Sequence, residues 1–245
     1  MVYISNKSFN SRILYAIRNF RSKQLFNALK QYCYGDVLDI GGWDFFLTAK
    51  KKKLNYRTWT TLDNSDKKIN IKDRQFKFIH GDGCNVPFGD NKFDTVLNIQ
   101  VLEHVFEPMK MIHEIKRVMK LNGKGIILIP QTSTLHMAPY HYYNFTKYWI
   151  IEATKQVNLE IIEIKPLGGF WSSIASRLIY FFYQSVKHEG MSSKDSKRNA
   201  FFYILFPIMA IYAIISILIC MCLSIGDLTE EPNNHLVVVT KKNQD

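Results

Sequence analysis

The ten residues VLDIGGWDFF, Val37–Phe46, decide how this chain is read. An apolar run closes on Asp39, and Gly41 and Gly42 follow almost at once. A buried strand that delivers the chain into a glycine turn belongs at the mouth of an open α/β sheet, where ligands bind at the carboxyl ends of the strands. A dinucleotide loop of the form GxGxxG, counted from Gly41, would need glycine again at positions 43 and 46, so that the backbone can approach a pyrophosphate. Trp43 and Phe46 stand there instead. That bulk obstructs a pyrophosphate, whereas an adenosine cofactor without phosphates makes no such demand.

Outward from this loop, β-rich runs alternate with helical patterns. YRTWTTLD ends at Asp63, QFKFIHGD ends at Asp82, and FDTVLNIQ follows as a fourth strand. Pro108 suits a first helical turn, and Met109, Ile112, Ile115 and Met119 recur on one helical face, with Asn122-Gly123 as the expected stop. GKGIILIP, LEIIEIK and HLVVVTKK complete seven strands, with a helix expected over TKYWIIEATKQV. The rhythm predicts an α/β fold: a doubly wound, seven-stranded, mostly parallel Rossmann-like sheet, with a hydrophobic helical segment inserted before the last strand.

Three strands end in an acid. Asp63 lies at the spacing from the glycine loop at which a carboxylate accepts from a ribose diol. Asp82 is placed to accept from an exocyclic amine, with Gly83 leaving its N–H accessible. Together with VLDIGG, the long block GDGCNVPFGDNKFDTVLNIQVLEHVFEPMKMIHEIKRVMKLNGKGIILIP resembles the class I S-adenosylmethionine-dependent methyltransferases of the type-11 group. The resemblance covers about Tyr34 to Gly168 plus the last strand. It implies S-adenosyl-L-methionine as cofactor, with Asp39, Gly41 and Gly42 on its methionine side, Asp63 on the ribose, Asp82 and Gly83 at the adenine, and Gln100 at the cofactor edge. The later glycines of the family's first motif are missing.

The acceptor side is expected in PQTSTLHMAPYHYYNFT, Pro130–Thr146, which resembles a segment of methyltransferases found among glycan and polysaccharide biosynthesis enzymes. Methyl transfer depends chiefly on alignment, and a hydroxyl acceptor needs a group to take its proton. His141, then His136, then His104 are the catalytic candidates. The competing reading is that His104 terminates the fourth strand or caps the next helix, and that Tyr142 and Tyr143 are packing.

The formal charge of +11 favours anionic partners, among them lipid surfaces. A nucleic acid would fit that charge, but no base-flipping motif or basic-aromatic recognition module accompanies it, so none is expected. Cys33, Cys84, Cys220 and Cys222 form no CxxC pair and stand near no histidine at ligand spacing; they read as reduced cytoplasmic thiols, and no metal site is expected. Residues 1–33 read as a basic amphipathic helix carrying Ile13, Leu14, Ile17, Leu25, Phe26 and Leu29. Residues 34–169 plus 231–245 form the methyltransferase domain, and 170–230 an apolar helical insertion. Phe201–Ile225 carries no charge over a bilayer-spanning length. If the strands on either side of it share one sheet, the chain must return to the side it left, which excludes a single crossing. A helix kinked near Pro207 and lying in the membrane face is favoured over a spanning hairpin or a buried pair.

The expected protein is therefore a cytoplasmic, membrane-associated methyltransferase acting on a glycan, lipid-linked or other small-molecule acceptor, through O-methylation. A quinone-type C-methyltransferase and a non-catalytic cofactor-binding scaffold are the alternatives.

Overall fold

Side chains alternate across a pleated strand, so a strand covered on both sides must be apolar at every position. The structure, a computed structural model, describes residues 22–66, 71–186 and 197–242. In β1 (Asp36–Ile40), Leu38 and Ile40 enter one apolar cluster and Val37 another on the opposite face. β4 (Phe93–Ile99), β5 (Met119–Pro130) and β7 (Asn234–Thr240) divide in the same way. Val96, Ile127, Ile129, Val237 and Val239 face one side, and Leu97, Ile126, Leu128, Leu236 and Val238 the other.

With β2 (Thr58–Asp63), β3 (Phe76–His80) and β6 (Glu160–Leu167) these strands form one seven-stranded sheet of order β3-β2-β1-β4-β5-β7-β6. The pairs from β3 through β5 are parallel, and β7 runs antiparallel between β5 and β6. This is the Rossmann-like, mostly parallel arrangement that the sequence predicts.

Helices α1 (Lys23–Tyr32) and α2 (Phe45–Lys51) cover one face, through Leu25, Phe26, Leu29, Phe45, Phe46 and Ala49. Helices α3 (Pro108–Val118) and α4 (Lys147–Gln156) cover the other, through Met111, Ile112, Ile115, Val118 and Ile150. Ile13, Leu14 and Ile17 lie outside the described residues. Thr146 caps α4 by accepting from the Trp149 N–H, which fixes where the acceptor-side loop ends.

One boundary differs from expectation. α3 ends at Val118, and Met119 already belongs to β5, paired with Phe93. An apolar residue there satisfies a helical stripe and a buried strand equally well, so periodicity could not choose. Asn122, at φ +60°, forms a turn within β5 before the ladder resumes at Lys124, opposite Thr95.

Between β6 and β7 the chain makes a helical pair, α5 (Phe170–Ser185) and α6 (Ala200–Leu223). β6 and β7 are neighbours in one sheet, so the chain does return to the side it left. Leu167 at the end of β6 pairs with Asn234 at the start of β7, and Asn234 pairs with Pro130 at the end of β5. The helical pair therefore leaves the sheet at the edge where β1, β2 and β4 also end. α6 has 24 residues, a length of about 36 Å at 1.5 Å per residue, and runs on through Pro207. Only Ala213 and Cys220 within it are buried, while Phe201, Ile204, Ile208 and Ile211 are exposed. Among the described residues it is the one helix long and apolar enough to cross a bilayer. The Asp227 carboxylate, just beyond α6, accepts from the Trp171 and Ser172 N–H groups at 2.7 and 3.0 Å, tying the base of the pair together.

Candidate cofactor and acceptor site

The strand order reverses between β1 and β4, which opens a crevice at their carboxyl ends. Gly41, at φ +69°, turns the chain there, and its N–H donates to the Leu62 carbonyl at 2.7 Å. A Cβ on Gly41 would strike Val101, and one on Gly42 would overlap the Asp39 carboxylate. Both glycines are therefore required by close approach. Asp39 is fully buried; one oxygen accepts from Trp59 Nε1–H at 3.3 Å and the other has no partner. Burial, opposed by the Trp59 hydrogen bond and reinforced by the charge of Asp63, pushes this carboxyl up to about 7.

The two bulky residues of the loop have different fates. Phe46 is fully buried, its ring 4.6 Å from Phe76 and 6.1 Å from Trp59. It faces the core and blocks nothing in the crevice, which corrects half of the sequence argument. Trp43, at φ +44° and half-buried, meets Phe78 edge-on at 6.4 Å. Phe76 and Phe78 share a face of β3, so Trp43 continues the aromatic layer from Phe46 out to the rim of the crevice.

One oxygen of Asp63 accepts from the Ser65 N–H at 2.9 Å, and one of Asp82 accepts from the Cys84 N–H at 2.8 Å. Each keeps a second carboxylate oxygen for a ligand. Gly83 has a packing reason that the sequence did not reveal: a Cβ there would strike Met111 and Ile40. Gln100, at φ +57°, hangs its backbone on the Leu128 carbonyl and turns its side-chain amide to Asn234 of β7 at 2.8 Å. The E-x-x-R pair of the long motif is a clamp on the loop after β3. Arg117 donates to the Val86 and Phe88 carbonyls while holding Glu114 and Asp90, and Glu114 accepts from the Val86 N–H.

On the acceptor side, a short 3-10 turn, Leu102–His104, follows β4, and the backbone of Glu103 receives the Tyr142 N–H at 2.8 Å. That stitch brings three imidazoles together. The ring centroids of His104 and His136 lie 4.8 Å apart, those of His136 and His141 4.5 Å, and those of His104 and His141 5.8 Å. Burial lowers the pKa of all three, that of His104 to about 4. Carbonyl oxygens only accept, so the contacts from His104 Nδ1 to Tyr140 O (2.6 Å) and from His136 Nδ1 to Thr134 O (2.8 Å) place the proton on Nδ1. Their Nε2 atoms thus carry bare lone pairs. His141 is opposite: Nδ1 accepts from the His136 N–H at 3.3 Å, so its buried, unpartnered Nε2 carries the proton.

Two buried groups were missed by sequence reasoning. Glu103 is fully buried with neither carboxylate oxygen hydrogen-bonded, and burial pushes it up to about 8. Asn98, buried on β4, leaves its carbonyl oxygen unpartnered. An acid beside a histidine inside the apolar frame of VLEHV was the available signal for Glu103.

The strand order and the crevice are those of the fold that S-adenosylmethionine-dependent methyltransferases share. Residues 38–127 match the family model described as a methyltransferase domain, Methyltransf_11, and this stretch is such a domain. The chain is 32% identical over 81 residues to a demethylmenaquinone methyltransferase of Thermotoga maritima, covering 32% of this chain and 35% of that protein. It is 26% identical over 149 residues to the chloroplastic 2-methyl-6-phytyl-1,4-hydroquinone methyltransferase of Arabidopsis thaliana, covering 55% and 43%. It thus spans less than half the length of either relative. A SAM-dependent methyltransferase from Archaeoglobus fulgidus shares the fold at a TM-score of 0.55 and 13% identity, over 92% of this chain and 94% of that one.

Proposed function

We propose that this protein transfers a methyl group from S-adenosylmethionine to a hydroxyl on a lipophilic or lipid-linked acceptor at the cytoplasmic membrane face. One observation carries the reading: the apolar helical pair and the acceptor loop rise from the same edge of the sheet and touch. Thr132 donates to Ser173 Oγ of α5 at 2.9 Å, and Gln184 of α5 donates to the Leu135 carbonyl at 3.3 Å. An acceptor held in a bilayer would meet the site beside α5 without leaving the lipid.

The residues suit the cofactor. The unpartnered oxygen of Asp39, the side-chain-free turn at Gly41 and Gly42, and the free oxygens of Asp63 and Asp82 would hold its polar parts, with Gly83 and Gln100 at the edges. S-adenosylmethionine, when bound, supplies a methyl group already activated by its sulfonium. The chain's own part is alignment and proton handling. His104 and His136 present lone pairs able to take the hydroxyl proton, whereas His141, first among the sequence candidates, presents a donor that would orient the acceptor oxygen. Titration with S-adenosylmethionine is expected to show saturable binding, weakened at least about tenfold in Asp63→Ala by loss of a charge-assisted hydrogen bond. Absence of binding by the intact chain would overturn the enzyme reading.

A quinol ring is the second acceptor, favoured by the two relatives above, whose names place them on quinone-type substrates. Labelled methyl transfer to a lipid extract distinguishes the two acceptors, since an ether and a ring carbon–methyl bond differ in acid lability.

The membrane face has its own test. Ile204, Ile208 and Ile211 share an exposed face of α6. The intact chain is expected to float with anionic vesicles, and the triple exchange of these residues to glutamate to remain in the soluble fraction. An intact chain that stays soluble without detergent and ignores vesicles would remove the membrane from this reading.

A further inference from the structure

We infer that Glu103, His104 and His136 form a binding site for one first-row divalent cation, on the acceptor side of the crevice. The inference rests on the methyltransferase reading only for what the cation would do, not for whether it binds.

Geometry comes first. One potential ligand atom from each of the three side chains lies within 4.8 Å of the others, and Glu103 Oε1 is 3.8 Å from His104 Nε2. Metal bonds of about 2.0–2.2 Å set ligand atoms about 3.0–3.4 Å apart, so modest rotation of three side chains closes the site. Two of those side chains sit on a single 3-10 turn and one in a loop, where such rotation meets little resistance.

The hydrogen bonds already point the ligands inward. A metal-binding imidazole characteristically donates its other N–H to a carbonyl or carboxylate, which fixes the ring and bares the ligating nitrogen. His104 does so to Tyr140 O and His136 to Thr134 O. Both Nε2 atoms are then available, and no hydrogen bond engages either among the described residues. A bound cation would occupy the lone pairs that otherwise take the acceptor's proton, and would acidify a coordinated hydroxyl in their stead.

The carboxylate supplies an independent sign. Glu103 is fully buried, and neither of its oxygens has a hydrogen-bond partner. Its closest cationic candidate among the described residues is His104 itself. A buried acid is ordinarily paired, hydrogen-bonded or on a metal. A cation between Glu103 and the two imidazoles would supply what no described residue does.

Ligand type narrows the ion. Two imidazole nitrogens and one carboxylate suit zinc, manganese, iron(II) or cobalt(II), whereas magnesium and calcium favour all-oxygen sets. Three protein ligands leave coordination positions open, and an acceptor hydroxyl or a catechol-like pair of oxygens would fill them. His141 Nε2–H, buried and unpartnered beside the cluster, would donate to an oxygen held there.

The test uses the full-length, chelator-stripped protein and cobalt(II), whose visible absorption reports nitrogen–oxygen ligation. One equivalent per chain is expected to bind, with displacement by zinc. Glu103→Gln and His136→Gln are each expected to weaken cobalt binding at least about tenfold, and His113→Ala, an exposed histidine on α3, to leave it unchanged. S-adenosylmethionine titration of the same samples checks that each variant is folded. Stoichiometric cofactor binding without cobalt binding would overturn the metal site and leave the enzyme reading standing. Cobalt binding indifferent to both variants would likewise overturn it. Cobalt binding without cofactor binding would keep the site and remove the enzyme.

Discussion

Phe46→Ala is expected to destabilise the protein by about 3–5 kcal/mol, the usual loss for a buried aromatic ring. Phe46 is fully buried among Tyr56, Trp59 and Phe76, with centroids between 4.6 and 6.1 Å from its own. The ring pins α2 to β2 and β3, and α2 starts only three residues after Gly42. Its removal should therefore loosen the loop as well as the core. Urea denaturation measures the effect, and a loss below about 1 kcal/mol would show that the ring does not hold the core. The neighbouring Trp43 is half-exposed at the rim, and Trp43→Ala should fall well short of that loss. Restoring glycine at both positions would accordingly yield an unstable chain rather than a dinucleotide binder.

Asp39→Asn is expected to act in the opposite direction. The folded state holds the Asp39 proton up to about pH 7, against an ordinary value of 3.8, because burial disfavours the charge. Between these values the folded protein binds more protons than the unfolded chain, so wild-type stability falls as pH rises. Asparagine does not titrate. The variant should match wild type near pH 4, pull ahead through pH 5 and 6, and hold its advantage above about pH 7, with a ceiling on the order of 4 kcal/mol. Cofactor affinity should fall at least about tenfold in the same variant, because the unpartnered carboxylate oxygen is what the crevice offers a cationic ligand. Urea midpoints at pH 4 and pH 8, with and without S-adenosylmethionine, measure both effects. A variant no more stable than wild type at pH 8 would contradict the burial argument. A buried acid of this kind trades stability for binding.

These two residues also show what the sequence could tell. Asp39, Asp63 and Asp82 were legible as acids near strand ends, where an open sheet binds ligands, although only Asp63 closes its strand: Asp39 lies one residue inside β1 and Asp82 two beyond β3. The mostly parallel character of the sheet followed from the alternation of strands and helices, whereas the strand order, with β7 antiparallel between β5 and β6, did not. Phe46 was not legible: spacing within a loop motif says which residue occupies a position but not which way it points, and the first turn of α2 sends that side chain inward. Met119 failed for another reason, since burial on a helix and burial in a strand ask for the same residue type. The histidines were found as a dense segment, but their tautomers depend on which carbonyls the folded loop presents. Glu103 went unread because its surroundings are set by tertiary structure: the N–H groups of Tyr142 and Tyr143 reach its carbonyl across almost forty residues of chain.

The position of β7 between β5 and β6 sets the order in which the molecule can be assembled. Among the described residues β6 has no hydrogen-bonded neighbour in the sheet except β7, and β7 follows the whole of α5 and α6 in the chain. During synthesis, β1 to β5 can pair as they emerge, while β6 must wait for about seventy residues of apolar helix and connector to be made. The half of the sheet beside the acceptor loop is thus closed last. Its closure therefore follows the synthesis of α5 and α6, so that the one bilayer-length apolar helix among the described residues is already made when the sheet is completed.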